Sequence, residues 1–286
     1  MRRGLAVAVY LGALVGALVG SLACSGASRS APSQSAVPPS FSADSYMARV
    51  QHRGQLVVGV KYDTPPFGNL DPITNQVEGF DADLGRELAS ALFGEGGKVR
   101  FSEAISRNRI PLLLDDKVDV VLSTMTITDE RKQEIDFSEP YYIAGQSILV
   151  PKGSPIQSVN DLNGRTVASG QGTTSVQTIR ERAPSATLLL LPTYAEAVAA
   201  LKDQRADAVS SDDGILMGMI LQDPTLQMVG GLLSEEPYGA GIKKGRPEFV
   251  AFVNQVFDQL KTSGGWVALY RQHLAPLSGF VLEPPR

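Results

Sequence analysis

The 286-residue sequence predicts an α/β protein of two lobes, each a mostly parallel sheet flanked by helices. Short β-branched or aliphatic runs, Leu56–Val60, Val118–Val121 and Gln146–Pro151 among them, read as strands buried on both faces. They alternate with stretches of helical spacing, which argues for parallel pairing. The alternation starts afresh at Gln146 and returns to the first unit near Pro237. The chain therefore crosses twice between lobes, near Ala144–Gly145 and near Glu236–Tyr238. Two crossing strands make a hinge that permits closure.

The N-terminal end has a different character. Arg2 and Arg3 precede an apolar run from Leu5 to Leu22, the charge and hydrophobic regions of a signal peptide. The run is also long enough to span a bilayer if retained. Ser21–Cys24 looks like a bacterial lipobox, with small Ala23 before the thiol and Ser21 where an aliphatic residue is usual. Residues 1–23 are thus expected to be a lipoprotein signal peptide. Cys24 is expected to carry acyl chains that anchor the protein at the outer face of the membrane. Residues 24–43, rich in Ser, Ala and Pro, have too little apolar bulk to bury and read as a flexible tether.

Composition is that of a globular protein, 43% hydrophobic and 20% charged. A net charge of -4 without a basic stripe gives no footprint for nucleic acid. Cys24 is the only cysteine, so no internal disulfide or cysteine-based metal site is possible. His52 and His273 fit neither a metal nor a triad spacing, and no cofactor or metal is expected.

Residues 44–144 with 237–286 form the expected first lobe. A weak helix over Asp44–Arg53 closes at Gly54, and the strand Leu56–Val60 delivers Lys61–Phe67 at its carboxyl end, the edge where open α/β sheets bind ligands. Leu70–Gly79 reads as a polar hairpin, Phe80–Leu92 as a helix and Val99–Phe101 as a strand. Ser106–Arg109 then precedes a helix in whose first turn Pro111 is tolerated. After the crossing, residues 145–236 form the second lobe. Its strands are Gln146–Pro151, Thr166–Ala168, Thr187–Leu191, Ala208–Ser210 and Leu226–Val229. A glycine-rich loop, Gly170–Ser175, opens one helix, and Asp212–Asp213 precede another. That loop lacks the Lys-Ser/Thr pair of a phosphate loop. Gly94–Gly97 reads as a turn. Back in the first lobe come a long helix over Glu248–Lys261 and a last one opening at Gly264. No internal sequence repeat is evident.

The stretch Leu122–Arg131 is the most informative. Thr124, Thr126 and Thr128 alternate with Met125 and Ile127, so an extended backbone would line their hydroxyls along one edge. Thr128 suits an N-cap, with Asp129 and Glu130 in the first turn and Arg131 one turn in. A strand end, a row of hydroxyls and an arginine at a helix start suit a carboxylate. The plainer alternative pairs Arg131 with Asp129 or Glu130 on the surface.

With Gly54–Val60, Pro65–Phe67, Gly79–Leu84, Gly172–Ser175, Ala206–Val209, Asp212–Asp213 and Pro237–Gly239, this stretch resembles the polar-amino-acid solute-binding proteins of ABC importers. The ordered set spans roughly Val50 to Leu274. The resemblance implies a type II-like periplasmic-binding-protein fold and no enzymatic activity. It further implies an extracytoplasmic monomer that delivers an amino acid to the transmembrane subunits of an ABC permease. Residue by residue, it makes Arg131 the clamp of the α-carboxylate, a planar group that guanidinium matches bidentately. Thr124 and Thr126 become partners of the carboxylate and ammonium, and Asp212 the ammonium's acid. The amides of Thr173 and Thr174 face the same carboxylate. Lys61 and Arg109 resemble the cations of acidic-amino-acid binders, where glutamine binders carry an acid in place of Lys61. Ser106 matches a hydroxyl neighbour in that subgroup, and Tyr194 stands where a relative's histidine meets the distal carboxylate. Tyr62, Phe67 and Tyr238 either pack on the ligand's aliphatic part or belong to the core. Asp81 and Asp83 are read as structural. The expected ligand is L-glutamate, with L-aspartate possible. The alternatives are a glutamine or asparagine binder, an amino-acid sensor reporting to a membrane partner, and a dehydratase-type enzyme on the same fold.

Overall fold

Two five-stranded sheets of matching topology organise the residues that the computed structural model describes, 39–94, 98–278 and 283–285. The expected leader, Cys24 and the tether as far as residue 38 lie outside the described residues, as do residues 95–97 of the expected turn.

Helix α1 (Tyr46–Arg53) starts where the Ser45 hydroxyl accepts the Ala48 amide at 3.0 Å, and ends on left-handed Gly54. Strand β1 (Gln55–Val60) is buried from Leu56 onward, as a central strand must be. The hairpin region expected over 70–79 forms from β2 (Asp63–Thr64), β3 (Gly68–Leu70) and β4 (Val77–Glu78). Next come α2 (Phe80–Phe93), β5 (Lys98–Glu103), α3 (Arg109–Leu114) and β6 (Val120–Val121). Helix α4 (Asp129–Glu134), β7 (Ile135–Phe137) and β8 (Tyr142–Ala144) follow. The chain then enters the second sheet with β9 (Gln146–Pro151), β10 (Thr166–Gly170), α5 (Thr174–Arg182), β11 (Thr187–Leu191) and α6 (Tyr194–Lys202). It completes that sheet with β12 (Ala208–Asp212), α7 (Asp213–Gln222) and β13 (Leu226–Val229). Strands β14 (Glu236–Tyr238) and β15 (Gly241–Lys243) lead back to α8 (Pro247–Ser263) and α9 (Gly265–His273).

The strand orders are β5-β1-β6-β15-β7 and β11-β10-β12-β9-β13. In each sheet the first three strands are parallel, and the fourth runs against both its neighbours. That reversed strand is the one laid down straight after a crossing, β9 in one sheet and β15 in the other. The lobes thus share a topology that leaves no repeat in the sequence. Between them β8 pairs antiparallel with β14, with Ala144 opposite Glu236 and Tyr142 opposite Tyr238. Phe67 packs against this ribbon, its ring 5.3 Å from Tyr142 and 5.7 Å from Tyr238. Phe67 and Tyr238 are fully buried members of the core, and half-buried Tyr62 packs against it.

Two short strands of the first sheet depart from what the sequence pattern displays. The strand expected over Val118–Val121 pairs only at Val120–Val121, because the Asp119 carboxylate turns back to accept the Val57 amide at 2.7 Å. The edge strand β7 offers no alternation to detect, since Ile135 alone of its three residues is buried.

Candidate functional site

Strand β1 ends at Val60 and aims Lys61 into the space between the lobes, where the side chain is 3% exposed. Its ammonium donates to the Thr124 hydroxyl and, at 3.2 Å, to the Ser123 carbonyl. Arg109, the first residue of α3, donates to the same Ser123 carbonyl at 2.7 Å and to the Thr124 carbonyl at 3.2 Å. Two cations from separate elements therefore grip one short segment.

That segment is not the extended row of hydroxyls expected from the sequence. Thr124 has φ 44°, a left-handed conformation that costs a non-glycine residue about 1–2 kcal/mol. Its amide donates to the buried carboxylate of Asp81, on the first turn of α2, at 2.8 Å. Asp81 fastens the turn through the Thr124 amide while Lys61 and Arg109 hold its carbonyls and hydroxyl. The three threonines consequently have three separate roles. The Thr124 hydroxyl accepts from Lys61, the Thr128 hydroxyl accepts the Arg131 amide as N-cap of α4, and Thr126 faces the hinge.

Arg131 is 9% exposed, not the surface residue of the plainer alternative. It donates to the Thr126 carbonyl at 2.7 Å and, across the cleft, to the Gly172 carbonyl of the second lobe at 3.0 Å. Gly172 lies at φ 79°, where a Cβ would meet the Ser106 carbonyl oxygen at 2.9 Å, so Ser106 lies directly opposite this loop. Ser106, Arg131, Gly172, Thr173 and Thr174 line one mouth of the cleft, a cavity of about 840 Å³. A cavity of about 920 Å³ between β7 and α8 contains none of the sequence-predicted residues. The Thr173 amide and hydroxyl turn back onto the Gly170 carbonyl at 3.3 Å and 2.9 Å, closing the loop rather than facing the cleft.

The second lobe contributes Asp212 from the end of β12, 6% exposed, with the Tyr238 hydroxyl donating to it. Tyr194, the first residue of α6, donates its hydrogen bond through the backbone to Asp63 at 2.8 Å, and its hydroxyl accepts from Ser211 at 2.8 Å. The Lys61 ammonium lies 5.5 Å from the Tyr194 ring centroid.

Sequence reasoning missed Glu236 and Gln146. Glu236, on the hinge strand β14, is 4% exposed. One carboxylate oxygen accepts from the hydroxyls of Thr126 at 2.6 Å and Thr174 at 2.8 Å. The other accepts from Gln146 Nε2 at 2.8 Å and the Ser234 hydroxyl at 2.6 Å. Four hydrogen bonds thus join both lobes and the hinge to one carboxylate. No local spacing marks it, since its partners lie up to 110 residues away.

Electrostatically the site is unusual. Lys61, Arg109 and Arg131 are buried, yet among the described residues none is within 4 Å of a carboxylate; their donors go to carbonyls, with one Thr hydroxyl. Burial, and then the nearby Arg109 charge, pushes Lys61 down to about 7. Burial, and then Glu236, pushes Asp212 up to about 7. Burial likewise raises Asp81 to about 6, opposed chiefly by the Thr124 amide. Unpaired buried cations are costly and invite an anion.

A model of the bacterial extracellular solute-binding proteins, family 3, matches residues 56–276. The glutamine-binding protein GlnH of an ABC transporter from Bacillus subtilis (strain 168) is 40% identical over 227 residues, covering 79% of this chain and 83% of that protein. A glutamine-binding protein from Geobacillus stearothermophilus is 46% identical over 199 residues, 69% of this chain and 76% of its own length. Among solved structures, the ancestral amino-acid-binding protein AncCDT-1, a precursor of cyclohexadienyl dehydratase, superposes with a TM-score of 0.72 at 38% identity, covering 80% of this chain and 98% of that one.

Proposed function

This chain belongs to the bacterial extracellular solute-binding proteins, family 3, and from that premise we propose that it captures L-glutamate between its lobes and delivers it to an ABC importer. The carrying observation is the set of buried cations without a carboxylate partner. Arg131 receives the α-carboxylate and Asp212 the ammonium. Lys61 and Arg109, which share the Ser123–Thr124 turn, receive the side-chain carboxylate. A carboxylate entering a closed cleft loses hydration worth several kcal/mol and needs such donors. L-Aspartate presents the same groups on a shorter stem. Thr124, Thr126, Thr174, Ser106 and Tyr194 complete the wall, while Thr173 shapes its loop.

Two observations favour a second reading, L-glutamine. Around the site, the buried acids Asp81, Asp212 and Glu236 equal the buried cations Lys61, Arg109 and Arg131 in number, so a neutral side chain leaves the site balanced. The two curated relatives described above are also named as glutamine-binding proteins. Calorimetric titration of the detergent-solubilised full chain with glutamate, aspartate, glutamine and asparagine separates the readings. Binding of the amides alone rejects the acidic one.

The site's function is binding without turnover. Asp212, the acid best placed for proton transfer, is occupied with the ammonium, and a bound ligand recovered unchanged after long incubation tests this. The extracytoplasmic location of the family suits a lipid anchor on Cys24 and a tethered, monomeric receptor. Mass spectrometry of the membrane-extracted protein tests the acylation. Transport rather than sensing is the assigned output, checked by uptake of labelled ligand in a strain lacking the protein.

A further inference from the structure

The buried carboxylate of Glu236 has no part in the binding scheme above, yet it sits between residues that do. Thr126 lies between the two ends of the proposed amino-acid head group. Arg131 donates to its carbonyl, and it bridges to Tyr238, whose hydroxyl donates to Asp212.

A hydroxyl has a single proton to donate. Thr126 gives its proton to Glu236, so toward the cleft its oxygen can only accept. Thr174 likewise donates to Glu236 and accepts from Gln146 Nε2 at 3.0 Å. Gln146 cannot be turned around, because a carboxylate faces its amide nitrogen. Its oxygen is buried without a hydrogen-bond partner, and Gln146 is the cross-strand neighbour of Asp212. Such neighbours place their side chains on the same face of the sheet. Asp212, the Thr126 oxygen and the Gln146 oxygen are therefore all acceptors at the hinge end of the cleft.

We propose that Glu236 is a positioning residue that fixes the Thr126 hydroxyl as an acceptor, so that the hinge end of the cleft presents only acceptors to the ligand's ammonium. This deepens the amino-acid reading above and rests on it. Glu236 itself need not touch the ligand.

The substitution Glu236→Ala tests it, because it removes the carboxylate and leaves the Thr126 hydroxyl free to turn its proton toward the ammonium. Glu236→Gln does not serve, since without the carboxylate Gln146 can turn over, accept from the new amide and leave an oxygen against Thr126. A role confined to bracing the hinge costs the same with or without the Thr126 hydroxyl; an acceptor-fixing role acts only through it.

The measurement is calorimetric affinity of the detergent-solubilised full chain for glutamate and glutamine, in wild type, Glu236→Ala, Thr126→Ala and the Thr126→Ala/Glu236→Ala double variant. Thermal unfolding confirms that each is folded. Glu236→Ala is expected to weaken both ligands equally, by about 2- to 10-fold, the range for an ordinary hydrogen bond. The loss should largely vanish in the Thr126→Ala background. Unchanged affinity in Glu236→Ala, or an undiminished loss without the Thr126 hydroxyl, overturns the proposal alone. If the wild type binds no amino acid, the functional reading falls and takes this proposal with it.

Discussion

The carboxylate of Asp81 accepts the Thr124 amide at 2.8 Å and thereby holds a non-glycine residue at φ 44° in the centre of the cleft. Lys61 and Arg109 take their positions from that turn, so Asp81 governs the cations without facing the cleft. Asp81→Ala removes the acceptor and is expected to destabilise the fold by about 1.5–3 kcal/mol and to abolish binding. Asp81→Asn retains an acceptor and removes a negative charge near both cations. It should leave the melting temperature nearly unchanged and shift the glutamate-to-glutamine affinity ratio toward glutamate. Calorimetry with differential scanning reads both quantities.

Arg109→Ala should reduce affinity for glutamate more than for glutamine, because it removes one cation from the distal end only. Arg131→Ala should abolish binding of every amino acid. If Arg109→Ala costs both ligands equally, Arg109 does not meet the side-chain carboxylate.

The pH profile follows from the two groups poised near neutrality. Lys61 lies at about 7 in the empty site, and a ligand carboxylate raises it. Above pH 7 the site must take up a proton to bind glutamate, and affinity falls by up to about one decade per pH unit. Asp212 also lies at about 7, and a ligand ammonium lowers it. Below pH 7 a proton must leave, and affinity for any α-amino acid falls. Glutamate binding is therefore expected to peak near pH 7, whereas glutamine binding declines only on the acid side. Titration across pH 5–9 in buffers of differing ionisation enthalpy gives both the affinity and the protons exchanged.

Asp212 also sets binding against stability. Its folded value, about 7, is raised above the ordinary 3.8, so its contribution to stability is greatest at low pH and is lost as pH rises through 7. At pH 8 the unfolded chain carries the charge freely and the folded chain carries it buried. Asp212→Asn is thus expected to raise the melting temperature at pH 8, by about 2–4 °C per kcal/mol relieved. The gain should shrink toward pH 4, where wild-type Asp212 is protonated, while binding is lost throughout. A melting temperature unchanged at pH 8 contradicts the burial penalty.

The fold was legible because strand and helix periods recur in order, and Gln146 restarts them where the second sheet begins. The reversed strands β9 and β15 were not legible as such, since direction depends on pairing rather than on pattern. Among the site residues, those carried by local signals, such as Arg131 one turn after its N-cap Thr128, could be singled out in advance. Glu236, Gln146 and the depth of Asp81 could not. Their roles are made by partners on other elements, and Glu236 sits in a segment that otherwise reads only as a crossing. The left-handed turn at Thr124 was masked by an alternation that suggested extended backbone.

Two glycines of α7 in the second lobe pack against the Pro65–Phe67 segment of the first. Gly218, within α7, lies where a Cβ would stand 1.8 Å from the Pro65 carbonyl oxygen, and at Gly214 it would stand 2.8 Å from the Phe67 ring. Backbone cannot yield as a flexible side chain can, so Gly218→Ala must separate α7 from the Pro65 loop. Alanine raises helix propensity over glycine by about 0.8–1.0 kcal/mol, so the lobe itself should not be weakened. The expected result is an intact protein that stays partly open. Its affinity should fall by about tenfold or more, and its radius of gyration in small-angle scattering should no longer contract when ligand is added. The loss should be the same for acidic and amide ligands, because neither touches α7 at that point. A variant that closes and binds as the wild type does would show that the closed lobes do not need this approach.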